Sequence, residues 1–167
     1  LAKLKKAGKL PWDSTAIIDT KGGLELSGHY GLINMAFLSD SRGSNRAYQA
    51  KCETLALIGS PNTNLGDAAA TYELLFGEAV DLKARRNVTY PVLLEEGAEP
   101  MVCCEVGSAH IGFSRFYAHL RRSELLQALG RLRANIREGE VLQVIVLGDS
   151  VMPFPVRLAG LAEVIDD

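Results

Sequence analysis

Four short apolar runs, rich in β-branched and aliphatic residues, constrain the fold of this chain more than any other feature. The runs "TAIID", "LINMAFL", "ETLALI" and "VLQVIVL" lie at residues 15–19, 32–38, 53–58 and 141–147. Each has the length of a strand and little alternation of polar and apolar residues, which is typical of strands buried on both faces. Helical patterns separate the runs and polar loops follow them. The sequence therefore predicts an α/β fold with a mainly parallel sheet.

Helices are predicted between and after these strands. The segment 66–77 favours a helix, with Asn64 or Asp67 as its N-terminal cap. A second helix is predicted at 123–136, where Ser123 stands at the capping position. Shorter or terminal helices are expected at residues 2–8, 114–120 and 156–165.

One further segment favours antiparallel strands. Residues 88–106 contain two strand patterns joined by the loop "EEGAE", which predicts a hairpin inside an insertion around residues 83–112. The glycines of "DTKGG" at 19–23 are interpreted as a turn. No linker composition interrupts the chain, so residues 1–167 are predicted to form a single domain with this insertion.

Composition places the chain among globular proteins and excludes several functional classes. Hydrophobic residues make up 47% and charged residues 23% of the sequence, and the formal net charge is −2, so the totals predict neither disorder nor a strongly basic protein. The three cysteines match neither a disulfide framework nor, with the histidines, a zinc-ligand spacing, and no metal site is predicted. No apolar run is long enough to span a membrane, and no signal peptide precedes the first strand. We expect no membrane partner and a cytoplasmic location.

The helix predicted at 123–136 contains a glycine that its apolar face does not require. Its apolar residues recur at steps of four, three and four on one face that we expect to be buried: Leu125, Leu129, Leu132 and Ile136. A glycine in a helix interior costs about 1 kcal/mol relative to alanine. Gly130 therefore calls for a reason, such as the close approach of a phosphate or of another backbone.

Two arginines follow this glycine, and the helix pattern alone leaves two interpretations of them open. One is an exposed polar face, which arginine suits because it is a good helix former. The other is a phosphate site, because the planar, permanently charged guanidinium binds phosphate oxygens bidentately. In an unbroken helix Arg131 and Arg133 point about 160° apart, whereas a helix that loosens after Gly130 lets both converge.

At this point the residues resemble a family. The pattern Q-x-x-G-R-x-R at 127–133 resembles motif VI of superfamily-two (DEAD/DEAH-like) helicases, and "SDSRGSN" at 39–45 resembles their motif V. Over residues 29–148 the chain is similar to the C-terminal half of helicase-like proteins of plasmid, phage and other mobile-element replication. The order of motif V, strand, insertion, motif VI and final strand agrees with the predicted elements.

The resemblance implies a three-layer RecA-like domain of the P-loop NTPase type, acting as the second motor domain of an ATP-dependent helicase or translocase in DNA replication. It implies that Arg131, with Arg133, is an arginine finger that reaches the γ-phosphate of ATP. Contacts to the nucleotide and to the backbone of single-stranded DNA or RNA are assigned to a second set: Gly43, Ser44, Asn45, Gln127 and Gly130. Both segments are expected at one edge of the sheet and exposed to solvent.

Two features depart from a complete helicase. Many members place the second arginine three residues after the first, where Ala134 stands here, so Arg131 is the firmer assignment. The sequence also has no Gly-Lys-Ser/Thr loop to cradle phosphates and no acidic pair at a strand end to hold Mg²⁺. We therefore expect ATP and Mg²⁺ to be bound mainly by a preceding N-terminal RecA-like domain, and this chain to be a fragment that is inactive alone.

Two other functions stay open on the sequence. One is a RecA-like module that has lost catalysis and serves protein interaction. The other is an α/β enzyme of small molecules that resembles a helicase by chance. A phosphate-binding domain encoded upstream favours the motor.

Overall fold

The computed structural model describes residues 12–27, 32–37, 46–61, 63–96, 98, 101–148, 152 and 154–157. The chain divides into two compact units. The described parts of 1–61 and 126–150 form what we call the sheet unit, and those of 62–125 and 151–157 form the hairpin unit.

Strands and helices alternate along the chain. The regular elements are β1 (Thr15–Asp19), α1 (Lys21–Ser27), β2 (Ile33–Ala36), α2 (Arg46–Gln49), β3 (Thr54–Ile58), α3 (Leu65–Phe76), β4 (Arg85–Val92), β5 (Met101–Ser108), α4 (Ile111–Leu129) and β6 (Gln143–Leu147). Short 3-10 turns occur at Trp12–Ser14, Gly130–Leu132 and Ala134–Ile136.

The sheet unit contains a four-stranded sheet in the order β2-β1-β3-β6, in which all neighbours are parallel. Its register pairs Ile17 with Ala56, and Ala56 with Ile145. The four parallel strands predicted from the apolar runs are confirmed, with ends that differ by up to two residues. The carboxyl ends of these strands lie at one edge of the sheet.

Burial explains why the central strands lack alternation. All five residues of β1 are buried, as are the first four of β3, whereas the edge strand β6 has no fully buried residue. A strand with neighbours on both sides and cover on both faces is buried along its length, so most of its side chains are apolar. Burying one side chain such as Ile17 contributes roughly 1.5–3 kcal/mol.

A buried arginine holds the segment that leads to β6. The guanidinium of Arg137 donates to the carbonyl oxygen of Cys52 at 2.5 Å and, through Nε, to Glu140 at 2.7 Å. The backbone N–H of Gln143 then donates to the carbonyl oxygen of Glu53 at 2.9 Å. These bonds hold residues 137–143 beside the start of β3, where the parallel pairing of β6 with β3 begins.

The hairpin unit combines two helices with an antiparallel pair. Strands β4 and β5 pair from Arg85 with Ser108 to Val92 with Met101, which confirms the predicted hairpin. Helix α3 is also confirmed, with the Asn64 side chain accepting from the backbone N–H groups of its first turn. The buried core of this unit comes from the helices: Ala68, Ala69, Tyr72 and Phe113.

The prediction of a helix over 123–136 is wrong at both ends. Helix α4 begins at Ile111, so Ser123 lies in its interior and the short helix expected at 114–120 is part of it. It begins there because the His110 imidazole accepts the backbone N–H of Phe113 at 3.1 Å, a capping bond that the sequence analysis missed. It ends at Leu129, immediately before the glycine.

The altered end of this helix moves one predicted core residue to the surface. Leu125 and Leu132 are buried, at 3% and 1% exposure, but Ile136 is 53% exposed. The spacing argument assumed one continuous helix, and the turns after Gly130 break the periodicity. The side chain of Ile136 therefore leaves the buried face.

Two further predictions fail locally. Residues 19–23 end β1 and start α1 rather than forming a turn, because the Thr20 hydroxyl accepts the backbone N–H of Gly23 at 3.0 Å and caps the helix. Val156 pairs with Leu94 in an isolated parallel bridge rather than starting a helix. The rest of the helix predicted at 156–165, and the one at 2–8, lie outside the described residues.

Candidate functional site

The predicted site residues fall into two segments, of which the structure describes one. The motif VI segment lies at the end of α4 and in the turns that follow it, and its predicted residues are Gln127, Gly130, Arg131 and Arg133. The predicted residues of the motif V segment lie outside the described residues: Gly43, Ser44 and Asn45.

The backbone changes direction within the motif VI segment. Leu129 is still helical, whereas Arg133 adopts the left-handed conformation with φ 55° and ψ 40°. The N–H of Arg133 donates to the carbonyl oxygen of Gly130 at 3.1 Å, which closes the turn. A residue other than glycine costs roughly 1–2 kcal/mol in this conformation. The divergence of about 160° that an unbroken helix imposes on the two arginines therefore does not apply.

The side chains of this segment differ in exposure. Leu132 is buried and anchors the turn in the sheet unit, while Arg131 beside it is half-buried. Gln127, Gly130 and Arg133 are exposed, as predicted, and Arg131 is more enclosed than expected. The anchored leucine fixes the backbone from which both guanidinium groups extend.

Gly130 is not required by the packing of the described residues. A Cβ atom at this position would meet no heavy atom within 4 Å, and its φ is not in the left-handed region. The space beside it is open. The glycine thus contributes a surface at which another molecule can approach the backbone closely.

The motif VI turn lies against the element that follows the predicted motif V. The turn Gly130–Leu132 contacts α2, the helix Arg46–Gln49, which begins directly after Asn45. Ala47 of this helix is fully buried, and the Arg46 guanidinium donates to the carbonyl oxygen of Asn34 in β2 at 3.0 Å. The motif VI turn is thus packed against the helix that follows the predicted motif V in sequence.

A buried carboxylate lies at the carboxyl edge of the sheet, and the sequence analysis did not single it out. Asp19 ends β1 with 7% exposure, and its Oδ1 accepts the backbone N–H of Thr20 at 2.6 Å. A Cβ atom on Gly23 would collide with this carboxylate, and one on Gly59 would lie 3.8 Å from Oδ1. One acidic residue after a strand is too common a pattern to be recognised.

The position of Asp19 decides what this edge can bind. Strand β1 lies between β2 and β3 in the sheet. The chain continues from β1 to β2 on one side, whereas after β3 it returns to the sheet at β6 on the other side. Ligands of α/β sheets commonly bind where the strand order reverses in this way. A carboxylate at this edge favours a hydrogen-bond donor or a cation and repels a phosphate. Asp19 therefore makes this edge unfavourable for a phosphate group.

The strand ends β3 and β6 are also in close contact. The N–H of Gly59, which has a φ of 69°, donates to the carbonyl oxygen of Leu147 at 2.8 Å. A Cβ atom on Gly148 would lie 2.8 Å from the carbonyl oxygen of Gly59. Position 148 requires glycine because the two backbones lie too close together for a side chain.

Burial raises the pKa of the Cys52 thiol, and Arg137 lowers it only in part. The side chain is fully buried. A neutral, enclosed thiol is a poor nucleophile at neutral pH. Cys52 is a core residue.

A polar cluster in the hairpin unit serves the start of α4. Glu78 accepts from the Tyr72 hydroxyl at 3.0 Å and lies 3.2 Å from Nε2 of His110. Burial first, and then the bond to Glu78, raise the pKa of Tyr72. Because Nδ1 of His110 accepts the helix N–H of Phe113, its lone pair is occupied and the ring is not placed to act as a base.

Other site types were tested on the described part of the chain. No group of three histidine, cysteine, aspartate or glutamate side chains there is arranged to hold a metal ion. Among the same residues, no helix has both the length and the apolar character needed to cross a membrane.

Comparison with protein-family models, with curated proteins and with solved structures gives no match. Support for a function therefore comes from the chain's own residues and from the positions that the fold gives them.

Proposed function

We propose that this chain is the second, RecA-like motor domain of an ATP-dependent nucleic-acid helicase or translocase, with Arg131 as its arginine finger. The contact between the turn Gly130–Leu132 and α2 carries the proposal. Motif V and motif VI of such helicases act on one bound nucleotide, and the contact with the helix that follows the motif V-like segment in sequence supports the same arrangement here. The parallel sheet of the unit supports the same assignment.

The chemistry divides between two domains. ATP and Mg²⁺ are held by the first RecA-like domain, because the sequence of this chain has no Gly-Lys-Ser/Thr loop and its sheet edge holds Asp19. ATP bound there would supply the γ-phosphoryl group, and Mg²⁺ would neutralise part of its charge. Arg131 supplies positive charge to the equatorial oxygens, and Arg133 adds a second, more exposed guanidinium.

The open space at Gly130 fits this role. The described residues leave that backbone uncovered, so a phosphate group on the facing domain can approach it. Gln127 is exposed one turn earlier on the same segment, which supports its assignment as a hydrogen-bond partner of the nucleotide. Gly43, Ser44 and Asn45 then contact the phosphates of a single strand, DNA or RNA, without regard to sequence.

The test is Arg131→Ala in the protein that carries both RecA-like domains. Steady-state ATP turnover is expected to fall about 10³–10⁵-fold, since an arginine finger acts on transition-state charge. Nucleotide affinity is expected to change much less. Arg131→Lys should restore little activity, because an ammonium does not reproduce the planar fork.

Arg115→Ala is the matched control, since Arg115 is an exposed arginine of α4, the helix that precedes the motif VI turn, and is remote in sequence from motif VI. It should leave turnover close to that of the unchanged protein. Near-normal turnover in Arg131→Ala would contradict the proposal. A complete protein without any phosphate-binding domain would favour the inactive interaction module instead.

A further inference from the structure

The C-terminal turn of α3 carries an apolar surface that motifs V and VI do not use. Leu74, Leu75 and Phe76 are consecutive, and their exposed fractions range from 57% to 86%. Single exposed leucines are ordinary in soluble proteins, whereas three large apolar side chains in succession form a patch. We call these three residues the α3 patch. All of them belong to the hairpin unit, so the patch can be described without reference to the sheet unit.

The fold gives the α3 patch a fixed position. Gly77 ends α3 in the left-handed conformation, with a φ of 70°, and its N–H donates to the carbonyl oxygen of Glu73 at 2.8 Å. The Phe76 ring packs on two other rings of the unit, at centroid distances of 4.6 Å from Tyr72 and 6.1 Å from Phe116. The patch is thus the outer end of an ordered aromatic core.

Negative charge accompanies the α3 patch. Residues 65–82 contain four acidic residues and no lysine, arginine or histidine, a net charge of −4, whereas the whole chain carries −2. The C-terminus of a helix adds partial negative charge, because the carbonyl groups of its last turn point along the axis toward that end. The exposed apolar side chains therefore lie in a negative potential.

One carboxylate is held beside the α3 patch. Oε1 of Glu73 accepts the backbone N–H of Val80 at 2.8 Å, and Glu73 is exposed. Glu78, in contrast, is already engaged by the Tyr72 hydroxyl and by Nε2 of His110. A charge that the chain holds in place costs less conformational entropy on binding than a mobile one. Glu73 is therefore the carboxylate best placed to meet a cation of a partner.

Leu74 is the centre of this surface. At about 100° per residue around the helix axis, it lies next to Glu73 on one side and next to Leu75 on the other. It is also the most exposed residue of the patch. A partner that covers Leu74 thus meets an apolar side chain and a carboxylate together.

The charge decides among the partners that an apolar patch can take. Nucleic acid and the headgroups of an anionic membrane are repelled by a region of net charge −4. A second copy of this chain would bring the same carboxylates together across a two-fold interface, which is unfavourable. A cationic amphipathic helix instead covers the apolar side chains while its charges meet the carboxylates. We propose that the α3 patch docks a basic amphipathic helix of a partner protein.

This docking surface goes beyond the motor function proposed above. None of its residues belongs to motif V or VI, and its ligand is a protein segment rather than a nucleotide or a nucleic acid. Normal ATP turnover in Arg131→Ala would leave the docking surface in place, and a patch that binds no peptide would leave the arginine finger in place.

The experiment is a fluorescence-anisotropy titration of the whole chain into a fluorescein-labelled amphipathic helical peptide that contains only leucine and lysine. Binding is expected, and its affinity should fall as the salt concentration rises, because charges contribute to it. A peptide with glutamate in place of each lysine should bind about 10-fold more weakly or worse, since like charges are then brought together.

Three variants test the two components of the surface. Leu74→Gln and Leu75→Gln should each weaken binding about 10-fold, because each removes an apolar side chain from the interface. Glutamine forms helices about as well as leucine, so α3 should remain intact. Glu73→Gln should weaken binding by about 2- to 5-fold and reduce its salt dependence. Its amide oxygen can still accept the N–H of Val80, so the local structure is retained.

Val141→Gln is the matched control for the leucine variants, and Glu138→Gln is the control for Glu73→Gln. Both control residues are exposed and belong to the sheet unit. Each should change the affinity by less than about 2-fold, as expected for a side chain outside the interface. Circular dichroism accompanies every variant, and Leu75→Gln provides the apolar test if Leu74→Gln loses helicity.

Four results would overturn the proposal. The first is an affinity in both leucine variants equal to that of the unchanged chain, and the second is equal binding of the glutamate peptide. The third is a dimer of this chain that Leu74→Gln converts to a monomer, which would make a second copy the occupant. The fourth is binding to vesicles of phosphatidylcholine that the same variant abolishes, which would make the occupant a lipid surface.

Discussion

The two units use their strands in opposite ways. All five residues of β1 in the sheet unit are buried, whereas β4 in the hairpin unit has no fully buried residue and alternates between half-buried and exposed positions from Val88 onward. Strand β1 has a neighbour on both sides, and β4 pairs only with β5. A central parallel strand is part of the core, whereas a strand in a two-stranded pair is part of the surface.

The hairpin unit compensates with aromatic packing between its helices. Tyr72 of α3 contacts three phenylalanine rings, with centroid distances of 4.6 Å to Phe76, 5.7 Å to Phe113 and 5.5 Å to Phe116. An isolated two-stranded hairpin is marginally stable in water. The buried aromatic core of this unit thus lies on α3 and α4, whereas β4 is a surface strand.

The largest effect that tests this comparison is expected from shortening one side chain in a strand of each unit. Ile17→Ala removes a buried side chain from β1 and should lower the free energy of unfolding by about 2–5 kcal/mol. Val88→Ala removes a half-buried side chain from β4 and should cost about 1 kcal/mol or less. Urea unfolding followed by circular dichroism measures both. Equal losses would show that the hairpin contributes to stability as the sheet does.

A smaller effect is expected from two glycines of the sheet unit. Gly148→Ala places a methyl group against the carbonyl oxygen of Gly59 and should cost about 1–3 kcal/mol. Gly130→Ala meets open space and should leave stability unchanged or raise it by up to about 1 kcal/mol. Thermal unfolding of the two variants gives the comparison. A destabilised Gly130→Ala would mean that the fold itself requires this glycine.

Gly130→Ala also connects stability to function. In the complete motor it should fold normally and still reduce ATP turnover, if the open backbone serves a phosphate. Normal turnover in a stable variant would leave the glycine without the role proposed for it.

The smallest expected effect is a loss of stability at alkaline pH. A different group titrates in each unit, Cys52 in the sheet unit and Tyr72 in the hairpin unit. The pKa of Cys52 is raised by burial and that of Tyr72 by burial and by Glu78, so the folded state holds both protons more tightly than the unfolded chain. Their stabilising contribution is complete below the pKa of the unfolded chain, about 8.5 for cysteine and 10 for tyrosine. It is lost as pH rises through the folded pKa values.

Stability should therefore begin to decline at lower pH in the sheet unit than in the hairpin unit. Urea unfolding as a function of pH measures the decline. Cys52→Ala should remove the part of the decline that begins at lower pH, and Tyr72→Phe should remove the part that begins at higher pH. An unchanged pH profile in both variants would assign the alkaline loss to other groups.

The sequence predicted the strands well because burial on both faces leaves a run of apolar residues that needs no knowledge of partners. It failed on α4, because the histidine that caps this helix is not a usual capping residue and because the polar residues Arg121, Arg122 and Ser123 resemble a break. It failed on residues 19–23, where Thr20 caps a helix that two glycines disfavour.

The candidate sites differ in how far the sequence could predict them. Gln127, Gly130, Arg131 and Arg133 stand in one short segment, so a motif is visible in the sequence. Asp19 becomes a buried carboxylate at the sheet edge only through the fold. A single acidic residue after a strand has no pattern to recognise.

The left-handed backbone of Arg133 bears on how this protein could be engineered. A stability-guided redesign would first replace this residue with glycine or asparagine, which adopt that conformation at lower cost. Such a change should make the domain more robust while deleting a guanidinium beside the proposed finger. A more stable Arg133→Gly variant with lower ATP turnover in the complete motor would show that stability and activity oppose each other at this position.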